Sequence, residues 1–527
     1  MTRRLQLALW AGLLSVLCVT GVTAQEVSLY AVRDGVHMAA GPLLGFDGAY
    51  YRINAPFGPV LVDAQAVDCR GAACPDPATH VPKVTISGAR SIGNVLMPAL
   101  LQAFAQRERL RMTRKGSDPS RYSYHLMDPQ SGRGVAQFAF HLTTTDEGFA
   151  DLLSNAADMV LARRAIRPHE AAAAKQVGLG DLTAANRSRV LALDALVPVV
   201  SPGNPLARIT LSDLGKALSG QITTWHTLGA PSSQIPPDTP LRVHLPDAGS
   251  GLAQAVVDRL LTSNEASMRA DVIRHDTHTA LDTAVANDPH ALGVTSYAQV
   301  RQAQILAVDG ACGFVQDANR LSIKTEDYPT TTPLLIYIPT RRLPQIARDF
   351  LAFTRSPGAQ IVIRRAGFFS QTPEPLPLSA QGVRLSNAIA VADGPRGLEA
   401  LKALRDTLIT TQRLTTSFRF AQDGSTLDAP SLSNIQQLAR ALERGDYGAR
   451  DIVLAGFSDG TGTATANKAL SQTRAATVLS HLRAAVDHPV PALHSARILG
   501  FGAVLPMACD DTPSGRHVNR RVEVWVQ

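Results

Sequence analysis

The spacing of apolar residues divides the chain into segments with different predicted folds. In residues 25–80, short apolar runs are separated by Asp-Gly pairs at 34–35 and 47–48, which are strong signals for tight turns. This pattern predicts a small all-β domain. From Val84 onward, short apolar runs alternate with stretches in which apolar residues recur every three or four positions. The alternation predicts an α/β domain with a mostly parallel sheet, which we place at residues 83–372.

The α/β segment contains six short apolar runs that predict strands. They are Val84–Ile86, Asp158–Leu161, Ala195–Val200, Leu241–His244, Ala291–Val294 and Leu334–Ile338. A proline-rich stretch at 373–378 ends this segment, and a linker with one helix is expected over residues 373–413. The last domain, residues 414–527, has the pattern strand, helix, strand, helix, strand.

The first 24 residues have the pattern of a signal peptide. An arginine pair is followed by an almost unbroken apolar run over residues 5–20, and small residues precede a cleavage point after Ala24. Cys18 follows Leu17, where a lipoprotein signal would have a small residue, so lipidation is not expected. The pattern predicts export to the periplasm.

Export changes the interpretation of the cysteines. Without Cys18 the chain has four, and an even number in an oxidising compartment favours disulfides. Cys69 and Cys74 are separated by only four residues, so a local disulfide is predicted. Cys312 and Cys509 either pair across domains or remain free, and the sequence leaves both alternatives open.

Composition and charge exclude some classes of function. The hydrophobic fraction is 45% and the charged fraction 18%, as in ordinary globular proteins. The net charge of +7 is spread without a Lys/Arg-rich run, so no nucleic-acid partner is expected. No cluster of metal ligands, paired acids or nucleophile with base is evident. We therefore predict a protein that is not an enzyme and needs no cofactor or metal.

The C-terminal segment carries the most specific motifs of the chain. An apolar strand leads into the turn Gly-Phe-Ser-Asp-Gly-Thr-Gly at 456–462, the helix begins with Asn-Lys-Ala-Leu-Ser-Gln-Thr-Arg-Ala at 467–475, and Asn-Arg-Arg-Val-Glu follows at 519–523. This order resembles the OmpA-like and MotB-like peptidoglycan-binding domain, with its GHxDxxG turn, NxxLSxxRA helix and final NRRVE strand. Ser458 stands where that family usually has threonine.

The resemblance implies binding to the diaminopimelate residue of uncrosslinked peptidoglycan stems. It implies that Asp459 accepts from the ligand ammonium, that Arg474 holds the carboxylate, and that Ser458 and Asn467 belong to the same site. From the spacing alone, an ordinary ion pair between a surface aspartate and a helix arginine is the favoured interpretation. Residues 519–521 are expected to be mainly structural. The turn also matches G-x-S-x-G, the nucleophile elbow of hydrolases, but the domain is too small for that fold.

Residues 83–372 resemble periplasmic solute-binding proteins of the phosphate ABC-transporter type. The resemblance rests on the order and spacing of six segments: Ser87–Ser91, Ala157–Arg164, Ala192–Val200, Gly220–Trp225, Gly249–Gly251 and Tyr328–Pro329. It implies two α/β lobes that close on a ligand. The predicted fold class is thus multidomain α/β, with a small N-terminal all-β domain, a two-lobed binding-protein-like domain and an OmpA-like domain.

The same resemblance implies an anion site at helix N-termini, where backbone N–H groups and the helix dipole favour negative charge. One half of the site would be Ser91 with the Ile92 amide, the other Ser250 with the Gly251 amide, and Arg164 would add charge. The alternative is plain helix capping by serine.

Three departures weaken the expectation of phosphate. Pro246 stands where phosphate binders carry arginine, Leu252 replaces the threonine of their SGT motif, and Arg163 lies nearest to their proton-accepting aspartate. We therefore expect at most weak phosphate binding.

The sequence as a whole predicts a periplasmic solute-binding protein for a small anion, held non-covalently on peptidoglycan near or at the outer membrane. Its whole length resembles fused phosphate-transporter-binding and OmpA-like proteins of proteobacteria. A phosphate-like anion and an ABC permease are the further partners that this interpretation implies. The alternative is a structural or adaptor protein of the cell envelope with a degenerate ligand site.

Overall fold

The computed structural model describes residues 26–76, 79–261, 266–310, 312–421, 426–510 and 513–527. The predicted signal peptide, residues 1–24, therefore lies outside the described residues. The chain forms two compact units, Met1–Pro82 and Lys83–Gln527. Of the helices that the structure describes, none combines the length and the apolar character needed to span a membrane.

The N-terminal unit is an antiparallel sheet of five strands in the order β4-β3-β2-β1-β5. The strands are β1 (Glu26–Ala31), β2 (His37–Phe46), β3 (Tyr50–Ala55), β4 (Gly58–Asp63) and β5 (Val67–Arg70). The turn predicted at residues 47–48 joins β2 to β3. There the Asp47 carboxylate accepts the backbone N–H groups of Ala49 and Tyr50, and Gly48 has a φ of +90°. The predicted Cys69–Cys74 disulfide is present at the end of β5.

The larger unit begins with a mixed sheet of eleven strands. Its strands, and those of a small three-stranded sheet (β12, β17, β18), are β6 (Lys83–Ala89), β7 (Arg111–Lys115), β8 (Arg121–Met127), β9 (Gly134–Thr143), β10 (Met159–Ala162), β11 (Ser188–Val200), β12 (Arg208–Thr210), β13 (Arg242–Pro246), β14 (Ile273–His275), β15 (Ala291–Ser296), β16 (Gln304–Ile305), β17 (Ala307–Asp309), β18 (Val315–Gln316) and β19 (Thr331–Tyr337). All six predicted strands overlap these elements.

The expectation of a mostly parallel sheet is wrong. β6 is parallel to β9 and β10, but β19 is antiparallel to both β10 and β11, and the β7–β8–β9 meander is antiparallel as well. Strand direction depends on the path of the connections between strands. Local hydrophobic spacing carries no information on that path.

Helices cover this sheet and divide it into two lobes. They are α1 (Met97–Arg107), α2 (Thr145–Leu153), α3 (Pro168–Gln176), α4 (Leu211–Ser219), α5 (Gly251–Leu260), α6 (His278–Asn287), α7 (Arg320–Lys324), α8 (Gln345–Thr354) and α9 (Pro357–Arg365), with a π-helical turn at Ile92–Leu96. One lobe packs around Phe104 and Phe350, the other around Trp225. β11 joins the lobes, because residues 188–195 pair with β19 and residues 196–200 pair with β15.

The C-terminal domain is a five-stranded sheet in the order β20-β21-β24-β22-β23. Its elements are β20 (Pro375–Pro377), α10 (Gly382–Ala390), α11 (Gly394–Leu408), β21 (Gln412–Arg419), α12 (Ala429–Glu443), β22 (Ile452–Gly456), α13 (Ala464–Ala485), α14 (Pro491–His494), β23 (Arg497–Gly500), α15 (Pro513–Asn519) and β24 (Arg521–Val526). A Cβ on Gly456 would lie 1.9 Å from the Ser471 carbonyl oxygen, so glycine lets α13 pack directly on β22.

The C-terminal domain is attached to the lobes by a disulfide and by buried charges. Cys312 is bonded to Cys509, which answers the question that the sequence left open. The Arg413 guanidinium donates to Asp327 at 2.7 and 3.1 Å, and both side chains are almost fully buried. Glu523 lies in the same cluster and is contacted by Arg384, Arg413 and Arg521.

Candidate functional site

The turn after β22 presents an aspartate whose carboxylate is fixed on both oxygens. Asp459 Oδ1 accepts the Thr461 backbone N–H at 3.1 Å, and Oδ2 accepts from Arg520 Nη1 at 3.1 Å. The turn itself is tied to the neighbouring loop, since the Ser458 N–H donates to the Gly502 carbonyl at 2.8 Å. The Asp459 side chain remains 12% exposed, so a ligand can reach it.

Arg474 lies on the face of α13 that packs on the sheet. Asn467, Ser471, Arg474 and Val478 are buried at positions that share this face of a helix. The Arg474 guanidinium lies over the Phe420 ring, with 5.3 Å to its centroid. Burial lowers its pKa, the neighbouring Arg520 lowers it further, and Asp459 acts in the opposite direction. Asp459, Arg474 and Arg520 therefore form one electrostatically coupled group.

Ser458 and Asn467 are placed differently around this group. Ser458 is 3% exposed, and its hydroxyl has no hydrogen-bond partner within the described part of the chain. Asn467, on the first turns of α13, lines a separate cavity of about 620 Å³ together with Gly460 and Asp510. Asp459 thus influences Arg474 electrostatically, while Asn467 lines this neighbouring cavity.

In the lobes, Arg163 contacts Ser91, one of the residues that were expected to bind an anion. Its side chain is 1% exposed, and Nη2 donates to Asp194 Oδ2 at 2.9 Å and to Thr332 Oγ1 at 3.1 Å. Nη1 donates to Ser91 Oγ at 3.2 Å. The Ser91 hydroxyl, predicted to contact an anion, is therefore engaged by an internal cation, and it does not cap the helical turn that starts at Ile92.

The other half of the predicted anion site is also satisfied internally. Ser250 caps α5 by accepting the Ala253 N–H at 3.1 Å, and its hydroxyl donates to the Asp247 carbonyl at 2.7 Å. A Cβ on Gly251 would lie 2.8 Å from the Ala89 Cβ, so the lobes are in direct contact here. The remaining space is about 10 Å³, which is close to the minimum for one water molecule.

Arg164 does not offer an uncompensated charge to this space. It forms ion pairs with Asp146 and with Glu170, the latter at 2.6 Å. Burial acts to lower its pKa, but the hydrogen bonds that Arg164 donates to these two carboxylates raise it overall. The anion-binding role of residues 91, 92, 164, 250 and 251 remains a prediction.

Comparison with known proteins assigns both domains. Residues 126–357 match the PBP superfamily domain, and residues 419–520 match the OmpA family. The chain is a fusion of these two domains. Of the curated proteins, the phosphate-binding protein PstS of Borreliella burgdorferi is 24% identical over 192 residues, which are 34% of this chain. The chain spans 65% of the length of that relative.

Solved structures resemble each domain separately. An ABC-type phosphate transport receptor from Vibrio cholerae is 20% identical, with a TM-score of 0.41, over 54% of this chain and 99% of that one. The peptidoglycan-associated lipoprotein from Burkholderia pseudomallei is 26% identical, with a TM-score of 0.19, over 21% of this chain and 89% of that one. The periplasmic domain of Helicobacter pylori MotB is 18% identical, with a TM-score of 0.19, over 22% of this chain and 74% of that one.

Residues 519–521 were expected to be mainly structural and to tie the last strand to the turn, but the sequence analysis did not predict their partners. Asn519 accepts the Met507 N–H and donates to Asp510, while Arg521 is buried against Glu523. Arg520 pairs with Asp459 and so joins the last strand to the turn. Since side chains alternate along a strand, the buried Arg521 and Glu523 could have indicated that Arg520 points the other way.

Proposed function

We propose that this chain is a peptidoglycan-binding protein of the periplasm, held on the wall by its OmpA domain near or at the outer membrane. The single observation that carries the proposal is the coupled group of Asp459, Arg474 and Arg520 at a partly exposed turn. We retain residues 83–372 as the proposed limits of the lobes and residues 414–527 as the part of the wall-binding domain that carries its motifs. Residues 373–413, expected to be a linker with one helix, instead supply β20, α10 and α11 to that domain, because β20 pairs with β21.

The charges of this group suit the side-chain end of diaminopimelate, which carries an ammonium and a carboxylate. Asp459 has lone pairs left for the ammonium, because a carboxylate offers about four acceptor positions. The Arg474 guanidinium is a planar donor that can hold a carboxylate with two hydrogen bonds.

For the lobes, we propose an adaptor role with at most weak anion binding. Arg163 donates to both Asp194 and Ser91, and the cavity that Arg163 and Gly251 line has a volume of about 10 Å³. The curated relative is named a phosphate-binding protein. Delivery of a solute to an ABC permease is the competing role, and it would require the lobes to open this contact.

Co-sedimentation with purified sacculi tests the wall anchor. The chain without residues 1–24 should pellet with sacculi, and Asp459→Ala and Arg474→Ala should each weaken this binding about 30-fold or more. Removing one partner of a desolvated charge pair costs about 2–5 kcal/mol, and each 1.4 kcal/mol is about tenfold in affinity.

Arg444→Ala is the matched control. Arg444 pairs with Asp446 on the surface and lies before β22, whereas the turn follows β22. This variant should bind like the unsubstituted chain. If Asp459→Ala and Arg474→Ala also pellet normally while remaining folded, the wall-anchor function is refuted.

A further inference from the structure

A second feature of the molecule is a basic cavity between the lobes and the OmpA domain. Its volume is about 960 Å³, at the upper end of ordinary ligand pockets. Six arginines line it, three from each side: Arg164, Arg167 and Arg259 from the lobes, and Arg419, Arg516 and Arg520 from the OmpA domain. Glu326 and Asp428 are the acidic residues of its lining.

Four of these arginines are neutralised by carboxylates. Arg164 and Arg167 both pair with Asp146, Arg419 pairs with Glu326 at 3.2 Å, and Arg520 pairs with Asp459. They contribute donors to the cavity wall but little net charge.

Arg259 and Arg516 differ from the other four arginines because neither has a carboxylate partner among the described residues. Arg516 donates from Nη1 to the Asp510 backbone carbonyl at 2.7 Å and has no carboxylate partner in the described part of the structure. Arg259 has neither a hydrogen bond nor an ion pair among the described residues, although Asp258 precedes it. These two guanidiniums approach the cavity from opposite domains. A ligand with negative groups at two points would be complementary to them.

The environment of Arg259 fits this interpretation. Its surface is open to the cavity, yet protein surrounds it closely enough that burial lowers its pKa. Asp258 and Glu326 oppose this change, while Arg163 and Arg419 reinforce it. A partly desolvated cation without an internal partner gains most from a ligand anion.

Arg520 links the cavity to the turn of the OmpA domain. It lines the cavity and donates to Asp459 at 3.1 Å, whereas Asp459 and Arg474 do not belong to the lining. A ligand that reaches from Asp459 to Arg516 and Arg259 would pass Arg520.

We propose that this cavity binds the carboxylate-bearing part of a peptidoglycan stem peptide beside its diaminopimelate, so that Arg259 of the lobes takes part in wall recognition. The inference rests on the proposed function and deepens it. Stem peptides carry carboxylates on residues other than diaminopimelate, and these would meet Arg259 and Arg516. The lobes would then serve the wall-binding site instead of a separate solute.

Calorimetry on the chain without residues 1–24 tests this proposal. The probes are the synthetic tripeptide L-Ala-γ-D-Glu-meso-diaminopimelate, free meso-diaminopimelate and inorganic phosphate. The tripeptide should bind at least about tenfold more tightly than free diaminopimelate, as expected for one added charge-assisted contact. Arg259→Gln should remove that advantage and leave the affinity for free diaminopimelate unchanged.

Two controls make the result specific. Arg208→Gln removes an exposed arginine of the second lobe and should change neither affinity. Arg259→Gln should keep the melting temperature, since Arg259 has no partner among the described residues, and Arg516→Gln should repeat its effect from the other wall.

The outcomes separate this proposal from the proposed function. If free diaminopimelate binds but the tripeptide binds no more tightly, or Arg259→Gln has no effect, the cavity proposal is overturned and the wall anchor stands. If neither wall ligand binds, both fail. Phosphate binding as tight as that of the tripeptide, and lost in Arg259→Gln, would assign the cavity to a free anion and overturn the proposal.

Discussion

The cleft between the lobes and the turn of the OmpA domain both place arginine against aspartate, but with opposite consequences. In the cleft, Arg163 and Asp194 are 1% and 0% exposed, and further hydrogen bonds connect them to Ser91 and Thr332. At the turn, Arg520 and Asp459 are 16% and 12% exposed, and Arg474 adds a second cation. The first pair is closed to solvent, whereas the second keeps some contact with it.

The difference follows from the cost of burying charge. Two ions removed from water are tolerated only when they compensate each other and their remaining donors and acceptors are satisfied. Arg163 comes close to this condition, because its terminal nitrogens donate to Asp194, Thr332 and Ser91, and only its Nε lacks a partner among the described residues. At the turn, Arg520 pairs with Asp459, Arg474 lies nearby, and both members of the pair keep some exposure to solvent.

The largest effect is expected in the cleft. Arg163→Ala leaves Asp194 buried without its cation, and breaking a buried pair in this way typically costs about 3–5 kcal/mol. Chemical unfolding of the chain without residues 1–24 should show this loss. Adding Asp194→Asn to Arg163→Ala should recover part of it, because the unpaired charge is removed. A loss below about 1 kcal/mol would show that this buried pair contributes little to the stability of the fold.

The next largest effect concerns the stability contributed by Glu523 and the three buried arginines that contact it. Burial would raise the pKa of Glu523, but Arg384, Arg413 and Arg521 overcome this and lower it to about 2 from 4.5. A depressed pKa stabilises the fold above the unfolded value, and this contribution is lost as the pH falls toward the folded value. Between pH 6 and pH 3, about 2 kcal/mol should be lost.

Glu523→Gln isolates this contribution, because glutamine cannot titrate. The variant should be less stable at pH 6, and the difference in unfolding free energy between the two proteins should shrink by about 2 kcal/mol at pH 3. A difference that stays constant over this range would contradict the assignment.

Ser458→Ala should weaken wall binding less than the substitution of Asp459 does. Its hydroxyl has no hydrogen-bond partner among the described residues, so removing it should not reduce thermal stability. If the hydroxyl contacts the ligand, sacculus binding should weaken by about 0.5–1.5 kcal/mol, which is less than the loss expected for Asp459→Ala. An effect as large as that of Asp459→Ala would show that the hydroxyl, not the charge pair, dominates recognition.

Inorganic phosphate should have the smallest effect. If its dissociation constant is about 10 mM or weaker, 10 mM phosphate raises the unfolding free energy by at most about 0.4 kcal/mol. Micromolar phosphate binding by calorimetry would show that the cleft is a ligand site after all. The cleft would then have to open and release Arg163 from Ser91.

Local patterns predicted the elements of both regions well, since each depends on residues close in sequence. The β2–β3 turn follows from Asp47 and Gly48, the Cys69–Cys74 disulfide from a short loop, and the placement of Asp459 after an apolar strand from a continuous motif. Contacts between distant segments were not predictable in this way. The Cys312–Cys509 disulfide spans 197 residues, and the Arg163–Asp194 and Arg520–Asp459 pairs each join separate strands or turns.

The sequence by itself determined the kinds of domain and the positions of their chemistry-bearing residues. The order of apolar and polar positions defines strands and helices, and the NRRVE and GFSDGTG motifs define the OmpA domain. Only the tertiary structure decided which charges are used internally. Whether a guanidinium beside a carboxylate is free to bind a ligand depends on how deeply the pair is buried and on which other groups it contacts. Those depend on how the lobes and the OmpA domain pack, which no local pattern encodes.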